Sequence, residues 1–391
     1  NRFYFCLLCL LCGGFLSAQV PNYEWIRISG SPQQFQTLAK AGLNPDHAHL
    51  HDGQIEAIYT TGERWQIEAL GLSVEIVQSN ASQYFADRLA RTRISRSAAA
   101  TATTPTAFNF GSMGGFLTYQ EMLMELDSMR LNYPNLISAP DSIGETFEGR
   151  PIYAWRISDN PDVDENAPEV LYTGLHHARE PMSMVNQIYY MQYLLENYGS
   201  DPEVDYLINN REMYFVPCVN VDGYLYNQLT DPNGGGLWRK NRAPQANGAT
   251  GVDLNRNYGY EWGYDNIGSS PDPFSDTYRG AAAFSEPETQ AISGFCNAHN
   301  FKTCFHYHSF GDLLILPWGY EPTDFLPDRD RFEEMGSLLS EENQYRTGNP
   351  LQTVGYGVNG VTDDWMYGEQ TTKDKVFSFT PEIGDFTDFF W

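Results

Sequence analysis

The chain has 391 residues, of which 24 are basic and 50 acidic, so its formal charge is −26. This length predicts one large or two moderate domains with a substantial core. The acidity excludes a nucleic-acid partner and docking on anionic lipid, because both need clustered lysine and arginine. Aromatic residues make up 14% of the chain, whereas disordered chains contain few of them. We therefore predict a folded, acidic protein.

The first 18 residues have the pattern of a signal peptide. Arg2 supplies a minimal basic start, residues 3–11 an apolar run, and Ser17 with Ala18 a small-residue cleavage site. The run is too short to cross a bilayer and no longer one occurs later in the chain, so we predict no membrane span. We expect secretion into an extracellular or periplasmic space. A buried strand or helix of a cytosolic protein is the alternative.

Charge and cysteine content distinguish the later part of the chain from its beginning. Residues 1–105 hold eight basic and eight acidic side chains, so the whole negative excess lies in 106–391. Three cysteines remain after residue 18, and an odd number permits at most one disulfide, whose pairing stays open. They are Cys218, Cys296 and Cys304.

Residues 19–90 predict a small α/β domain. Alternating apolar positions indicate strands at 25–28, 54–59 and 72–77, with helices at 32–41 and 63–70. Residues 91–107 then read as a linker, rich in Ser, Ala and Thr after residue 96. Its three arginines, Arg91, Arg93 and Arg96, are candidate sites for an activating protease. A plain interdomain linker is the alternative.

Residues 108–391 predict a second, larger α/β domain. Thr118 and Glu121 form the capping box of a helix ending near 133–134, and Pro181 begins a helix to about Tyr198. Ser285 and Glu288 suggest a further capped helix. Strands are expected at 169–173, 211–219, 301–308 and 376–380. Such alternation predicts a layered α/β sheet with ligands at strand ends, where the loop 222–284 should lie.

Two histidine clusters point to a metal. The segment GLHHAREP at 174–181 joins a strand to a helix, and His177 and Glu180 can direct imidazole and carboxylate at one point. The segment FHYHSF at 305–310 offers His306 or His308 as a distant third ligand, and strand alternation does not choose between them. An exposed His near a Glu is the ordinary alternative for the first cluster. A trio at 47, 49 and 51 is better explained as a polar strand or loop.

Together with LWRKNR at 237–242, GVDLNRN at 251–257 and FTPE at 379–382, these segments resemble the zinc metallocarboxypeptidases of the carboxypeptidase A/B type. The resemblance runs from about Gly115 to the end of the chain. It implies one Zn²⁺ per catalytic domain, held by His177, Glu180 and His308. It also implies a mixed central α/β sheet flanked by helices, preceded by a small α/β propeptide-like domain.

The resemblance assigns the remaining roles. It places the catalytic glutamate at Glu382 and the arginine that polarises the scissile carbonyl at Arg239. It places five substrate-binding side chains at Arg179, Asn255, Arg256, Tyr356 and Asp363. An Asp at the position of Asp363 accompanies a preference for C-terminal Lys or Arg in the family, because a buried carboxylate pairs with a cation.

The expected activity is zinc-dependent hydrolysis of the C-terminal peptide bond of peptides and proteins. A related zinc amidase acting on cell-wall peptides or N-acyl amino acids is one alternative, and a non-catalytic binding module is another. The N-terminal domain is expected to be an inhibitory propeptide, with a permanent accessory domain as the alternative. Only nine residues come after Glu382, whereas the family continues into a further helix, so we expect the natural chain to extend beyond Trp391.

Overall fold

The computed structural model describes residues 20–43, 48–51, 53–96, 105–321, 326–385 and 390–391. The predicted signal peptide and most of the low-complexity run, 97–104, lie outside these residues. Within them the chain forms a four-stranded sheet followed by an eight-stranded sheet with helices. The predicted fold class, a mixed α/β sheet preceded by a small α/β unit, is confirmed.

The N-terminal unit is an antiparallel sheet in the order β2-β3-β1-β4. Every second residue of β1 and β3 is buried, and these residues pack against helices α1 and α2 around a small core. At the start of α2, Thr60 Oγ1 accepts a hydrogen bond from Glu63 N and the Glu63 carboxylate accepts one from Thr60 N. The elements are β1 (Tyr23–Ser29), α1 (Pro32–Lys40), β2 (His49–His51), β3 (Gln54–Thr60), α2 (Thr61–Ala69), β4 (Ser73–Gln78) and α3 (Ala81–Arg96).

Residues 91–96 belong to helix α3, whereas the sequence predicted that a linker begins at residue 91. The helix continues to Arg96, so the three candidate cleavage sites lie in helical backbone. Its positions Ala81, Phe85 and Leu89, four residues apart, are buried in the same core as residues of the larger unit. At Gly235, where φ is +90°, an added Cβ would collide with the Ser82 carbonyl oxygen. The absence of a side chain therefore lets α3 lie directly on this loop.

The larger unit is an eight-stranded sheet in the order β11-β10-β12-β9-β7-β8-β6-β5. Its central strands β12, β9, β7 and β8 are parallel, and β6 and β5 continue antiparallel at one edge. The elements are α4 (Tyr119–Asn132), β5 (Asp141–Glu145), β6 (Pro151–Ile157), β7 (Glu169–Thr173), α5 (Pro181–Asn197), α6 (Pro202–Asn210), β8 (Glu212–Val216), α7 (Val221–Thr230), α8 (Pro287–Ala298), β9 (Phe301–His306), β10 (Leu313–Ile315), α9 (Arg329–Leu339), β11 (Arg346–Gly348), α10 (Thr362–Gly368) and β12 (Phe377–Glu382).

Helices cover both faces of this sheet because its strands alternate between two cores. Tyr172 and Phe215 belong to the core that α4, α5 and α7 complete, whereas Leu171 and Val216 belong to the core that α8 and α10 complete. The parallel strands β7, β9 and β12 end side by side. The loops at their ends therefore meet at one edge of the sheet. Within the described residues, no helix combines the length and the apolar composition needed to span a bilayer.

Most predicted elements are present, but several details were wrong, and the strand expected at 211–219 spans only Glu212–Val216. The capping box of Thr118 and Glu121 is confirmed. Ser285 does not cap α8: the N-cap is Glu286, and Ser285 Oγ donates to the Glu286 carboxylate instead. The expected loop 222–284 begins with helix α7, capped by Asn220, whose Oδ1 accepts from Gly223 N. The strand expected at 301–308 ends at His306. Cys218, Cys296 and Cys304 are buried free thiols.

Candidate metal centre and substrate pocket

Three buried side chains converge at the edge where β7 and β9 end. Pro181 is the first residue of α5, so the preceding turn holds His177 and Glu180 just before the helix. Glu180 Oε1 lies 2.8 Å from His177 Nδ1, and Glu180 Oε2 lies 2.8 Å from His308 Nδ1. The two imidazole Nδ1 atoms are 3.1 Å apart. All three side chains are 0–3% exposed, and their donor atoms lie within 4.8 Å of one another.

The structure brings His308 into this group and places His306 elsewhere. Because β9 ends at His306, strand alternation does not extend to His308. The His308 backbone instead pairs with β12, with its N–H donating to Pro381 O at 2.9 Å. His306 Nδ1 lies 2.8 Å from Thr173 Oγ1, in the sheet interior. This geometry agrees with the choice of His308 that the family resemblance implied.

The group fits a divalent zinc ion. Two imidazoles and one carboxylate are a frequent zinc ligand set that leaves a coordination position open. Burial lowers the pKa of His308, which keeps its imidazole neutral and able to ligate. Two facing Nδ1 atoms and a carboxylate, all removed from water, are best satisfied by a cation between them. Within the part of the chain described, this is the one such cluster of three donors.

A buried carboxylate, Asp253, connects the metal group to Arg239. Its Oδ1 lies 3.2 Å from His177 Nε2, and its Oδ2 accepts hydrogen bonds from Arg239 Nε at 3.0 Å and Nη2 at 2.8 Å. Burial alone would raise the pKa of Asp253, but the charges of Arg239 and Arg256 outweigh it and hold that pKa far below its usual range. The carboxylate is therefore ionised and fixes the orientation of both partners.

A pocket of about 450 Å³ opens beside the metal group and collects most of the predicted residues. Its walls combine ionisable side chains with the apolar side chains of Ile315, Pro350, Val354, Val358 and Val361. Arg179 is the predicted substrate residue that does not line it. The Arg179 guanidinium donates to Asp276 Oδ2 at 3.2 Å and lies 4.5 Å from the Phe390 ring. The predicted residues in the lining are His177, Arg239, Asn255, Arg256, Tyr356, Asp363 and Glu382.

Asn255 and Arg256 lie on a short 3₁₀ turn that comes after Asp253. Asn255 Oδ1 accepts hydrogen bonds from Thr362 N at 2.9 Å and Thr362 Oγ1 at 2.8 Å, which locks the amide. Arg256 Nη1 donates to Asn255 O at 2.7 Å. Its Nε is buried and has no hydrogen-bond partner within the described residues. The planar guanidinium therefore presents donors to the pocket in a geometry that suits a carboxylate.

Glu382 and Asp363 place two further carboxyl groups on the pocket. Glu382 ends β12, is 7% exposed, and its backbone bridges to His308, which sets it beside the metal group. Asp363 lies in the first turn of α10 and is 5% exposed. Burial raises the pKa of Asp363 to about 6, although backbone donors and Arg256 oppose the shift. Asp363 is therefore a weaker acid than an exposed aspartate.

The role of Asp253 was not predicted from the sequence. Within GVDLNRN, the family resemblance assigns roles only to the Asn and the Arg. The available signal was a charged residue two positions before a predicted anchor, inside a segment whose neighbours are apolar. Its contact with His177 spans 76 residues of sequence, which no local pattern could reveal.

Comparison with known proteins agrees with this geometry. The zinc carboxypeptidase (peptidase M14) family model matches residues 122–391. A zinc carboxypeptidase of Saccharothrix mutabilis subsp. capreolus is 28% identical over 94% of this chain and 82% of its own. Rat carboxypeptidase A1 is 31% identical over 73% of this chain, and the match spans 66% of the rat protein.

Solved structures show the same fold. The carboxypeptidase A of Helicoverpa armigera superposes with a TM-score of 0.73 at 24% identity, covering 93% of this chain and 89% of its own. Thrombin-activatable fibrinolysis inhibitor superposes with a TM-score of 0.69 at 21% identity, covering 94% and 92%. Both matches include the N-terminal unit as well as the larger sheet. The chain belongs to the zinc carboxypeptidase family.

Proposed function

We propose that this protein removes the C-terminal residue from peptides and proteins by zinc-dependent hydrolysis. One observation carries the proposal: Arg256, buried and with a donor unused within the described residues, lines the same pocket as His177 and Glu382. A guanidinium at this place selects a substrate with a free carboxylate, and only a chain end has one beside its last peptide bond. The reaction is therefore cleavage at the terminus.

Each side chain has a role that its surroundings support. His177, Glu180 and His308 would hold the zinc, which would supply a water of lowered pKa and Lewis acidity. Glu382 accepts the proton of the attacking water and delivers it to the leaving amine. Arg239, fixed by Asp253, donates hydrogen bonds to the oxygen of the scissile carbonyl as negative charge develops there. Tyr356 lines the pocket and contacts the bound terminus.

The role of Glu382 is tested by Glu382→Gln, which keeps the shape of the side chain and removes the base. We expect turnover of a blocked dipeptide to fall by about 10²–10⁴-fold, with zinc content unchanged by metal analysis. Substantial residual turnover with full zinc occupancy would show that another group accepts the proton.

The role of Arg256 is tested by Arg256→Ala with matched free-acid and amidated peptides. Binding of the free-acid peptide should weaken far more than that of the amidated one, because only the former has a carboxylate to pair. Arg279→Ala is a control, since Arg279 contacts Ser269 and Asp265 and does not line the pocket. Equal losses for both peptides would refute the anchor.

We further propose a preference for C-terminal Lys or Arg. Among the lining residues that have no catalytic, zinc-holding or carboxylate-binding role, Asp363 is the one acidic side chain, and the others include five apolar ones. A buried carboxylate offers a cation a strong partner. This preference is tested by comparing the release of C-terminal Arg and Phe from matched peptides at pH 8. A clear preference for Phe would refute it.

The N-terminal unit, residues 19–90, is proposed to regulate a catalytic domain at 108–391 and to be released by cleavage at 91–107, after secretion. Its support is the shared core between α3 and the larger unit. No described residue of the unit lines the catalytic pocket, so control would act on how substrates approach it. Equal activity of intact and cleaved protein would favour a permanent accessory domain.

The competing amidase activity is separated by substrate. A carboxypeptidase should release amino acids from linear peptides faster than from cell-wall stem peptides or N-acyl amino acids. The reverse order would favour the amidase, and absence of chelator-sensitive hydrolysis of any of them would favour a binding module.

A further inference from the structure

A second cavity, of about 760 Å³, lies between the N-terminal unit and the loop that carries Arg239. Pro21, Tyr23 and Thr60 line it from one side, and Tyr226, Trp238 and Arg242 from the other. None of the side chains assigned to zinc, catalysis or the terminal carboxylate belongs to its lining. It is therefore distinct from the catalytic pocket.

Arg242 is the unusual residue of this cavity. Its guanidinium lies 3.8 Å from the centre of the Tyr226 ring and 4.4 Å from that of Trp238. The two rings meet edge to face, with centroids 5.3 Å apart. Cation–π contacts with two rings restrict the position of the guanidinium and use none of its N–H donors. Trp238 is itself fixed, since its Nε1 donates to Lys240 O at 2.6 Å.

Within the described residues, Arg242 makes no hydrogen bond and no ion pair, in a protein with more than twice as many acidic as basic residues. The acids nearby have other partners: Glu148 and Asp222 pair with Arg150, and Asp276, which itself lines the cavity, pairs with Arg179. Lys240 also lines the cavity, but its Nζ donates to the Pro273 and Ser275 carbonyls. The half-buried Arg242 therefore retains its full hydrogen-bonding capacity toward the cavity.

We propose that Arg242 forms a subsite for an acidic side chain of the peptide substrate, upstream of the cleaved bond. This inference rests on the proposed function. Arg242 comes three residues after Arg239, so their Cα atoms are at most about 11 Å apart. An extended peptide advances about 3.3 Å per residue, so a separation of at most about 11 Å corresponds to a residue within about four positions before the scissile bond.

The test uses the full chain and a set of peptides that differ only in carrying Glu or Gln at one of the five positions before the cleaved bond. We expect the Glu-to-Gln ratio of kcat/KM to be highest at one position in the predicted window. Replacing Arg242 with Gln should lower that ratio about three- to tenfold, the range of partly exposed charge pairs. Arg242→Lys should lie between, because it keeps the charge without the stacked fork.

Arg211→Gln is the matched control, because Arg211 also lies over a tyrosine ring, Tyr206 at 5.4 Å, but lines neither cavity. Its Glu-to-Gln ratio should equal that of the wild type. Ratios that Arg242→Gln leaves unchanged at every position, or that Arg211→Gln lowers equally, would overturn the subsite.

A binding measurement separates this inference from the proposed function. Calorimetric titration of the Glu382→Gln full chain with the best Glu peptide and its Gln partner requires no turnover. Tighter binding of the Glu peptide that disappears in the Glu382→Gln/Arg242→Gln double variant supports the subsite even if hydrolysis fails. Equal binding of both peptides overturns the subsite even if hydrolysis is observed.

Discussion

Replacing Asp253 with Asn tests the link between the metal group and the rest of the site. The substitution preserves size and removes one charge from a side chain that is fully buried. Arg239 would lose the carboxylate that it contacts at 2.8 Å, whereas the Glu180 carboxylate lies 4.0 Å from it. The Asn side chain has one oxygen and one NH2 group, so the NH2 group must face either Arg239 or His177. In that contact two hydrogen-bond donors would then face each other.

These contacts set the expected loss of stability in Asp253→Asn. Removing one partner of a buried ion pair costs about 3–5 kcal/mol, because the other charge stays buried without compensation. For a domain of this size each kcal/mol lowers Tm by roughly 2–4 °C, so we expect a decrease of about 6–20 °C. Loss of the carboxylate behind a metal-binding histidine weakens metal affinity by about 10–100-fold. The kcat/KM value should fall further, since Arg239 is disturbed as well.

The assay is thermal unfolding of chelator-treated and zinc-loaded protein, together with zinc competition by a chelator of known affinity. Asp162→Asn is the control, because Asp162 pairs with Arg130 at 3.1 Å and both side chains are partly exposed. Its cost should stay within about 1 kcal/mol. If Asp253→Asn binds zinc as tightly as the wild type and unfolds at nearly the same temperature, the carboxylate does not organise the site.

Three further predictions concern stability. Burial raises the pKa of Asp363 to about 6, so its ionisation lowers the free energy of unfolding progressively as pH rises from about 4 to 6. Over that interval Asp363→Asn should therefore become more stable relative to the wild type. If denaturant titrations give the same difference in free energy of unfolding at every pH, this prediction is wrong. Gly235→Ala should lower Tm by several degrees because its Cβ meets the Ser82 carbonyl of α3. Gly149 has open space around it, so Gly149→Ala tests the cost of positive φ alone. Equal decreases in Tm for the two variants would exclude the steric explanation. Adding zinc at about 100 times its dissociation constant should stabilise the chelator-treated chain by about 2.7 kcal/mol, and Glu180→Gln should reduce that gain.

The sequence predicted local features well. The helix start at Thr118 and the turn holding His177 and Glu180 depend on residues three apart, and both are present. Family resemblance added His308, which strand alternation alone could not separate from His306. Such features are legible because their physical causes act within a few residues.

The features that the sequence did not reveal depend on distant contacts. Ser285 has the sequence of a cap, but the helix starts later because Glu286 N donates to Asn257 Oδ1, 29 residues away. Arg179 is adjacent to a metal ligand, yet it contacts Asp276 and Phe390, which only the folded chain brings near. A carboxylate such as Asp253 acquires its role from burial among partners of opposite charge.

The helical state of residues 91–96 has a kinetic consequence for any protease that cuts there. Proteases bind their substrates as extended segments, so a bond inside a helix is cleaved only after local unwinding. Unwinding from the C-terminal end of the helix would expose Arg96 first and Arg91 last, since residues nearer Leu89 are held by the buried face of α3. The order of cutting would then report how far the helix frays, and conditions that stabilise the helix would slow maturation without altering the protease.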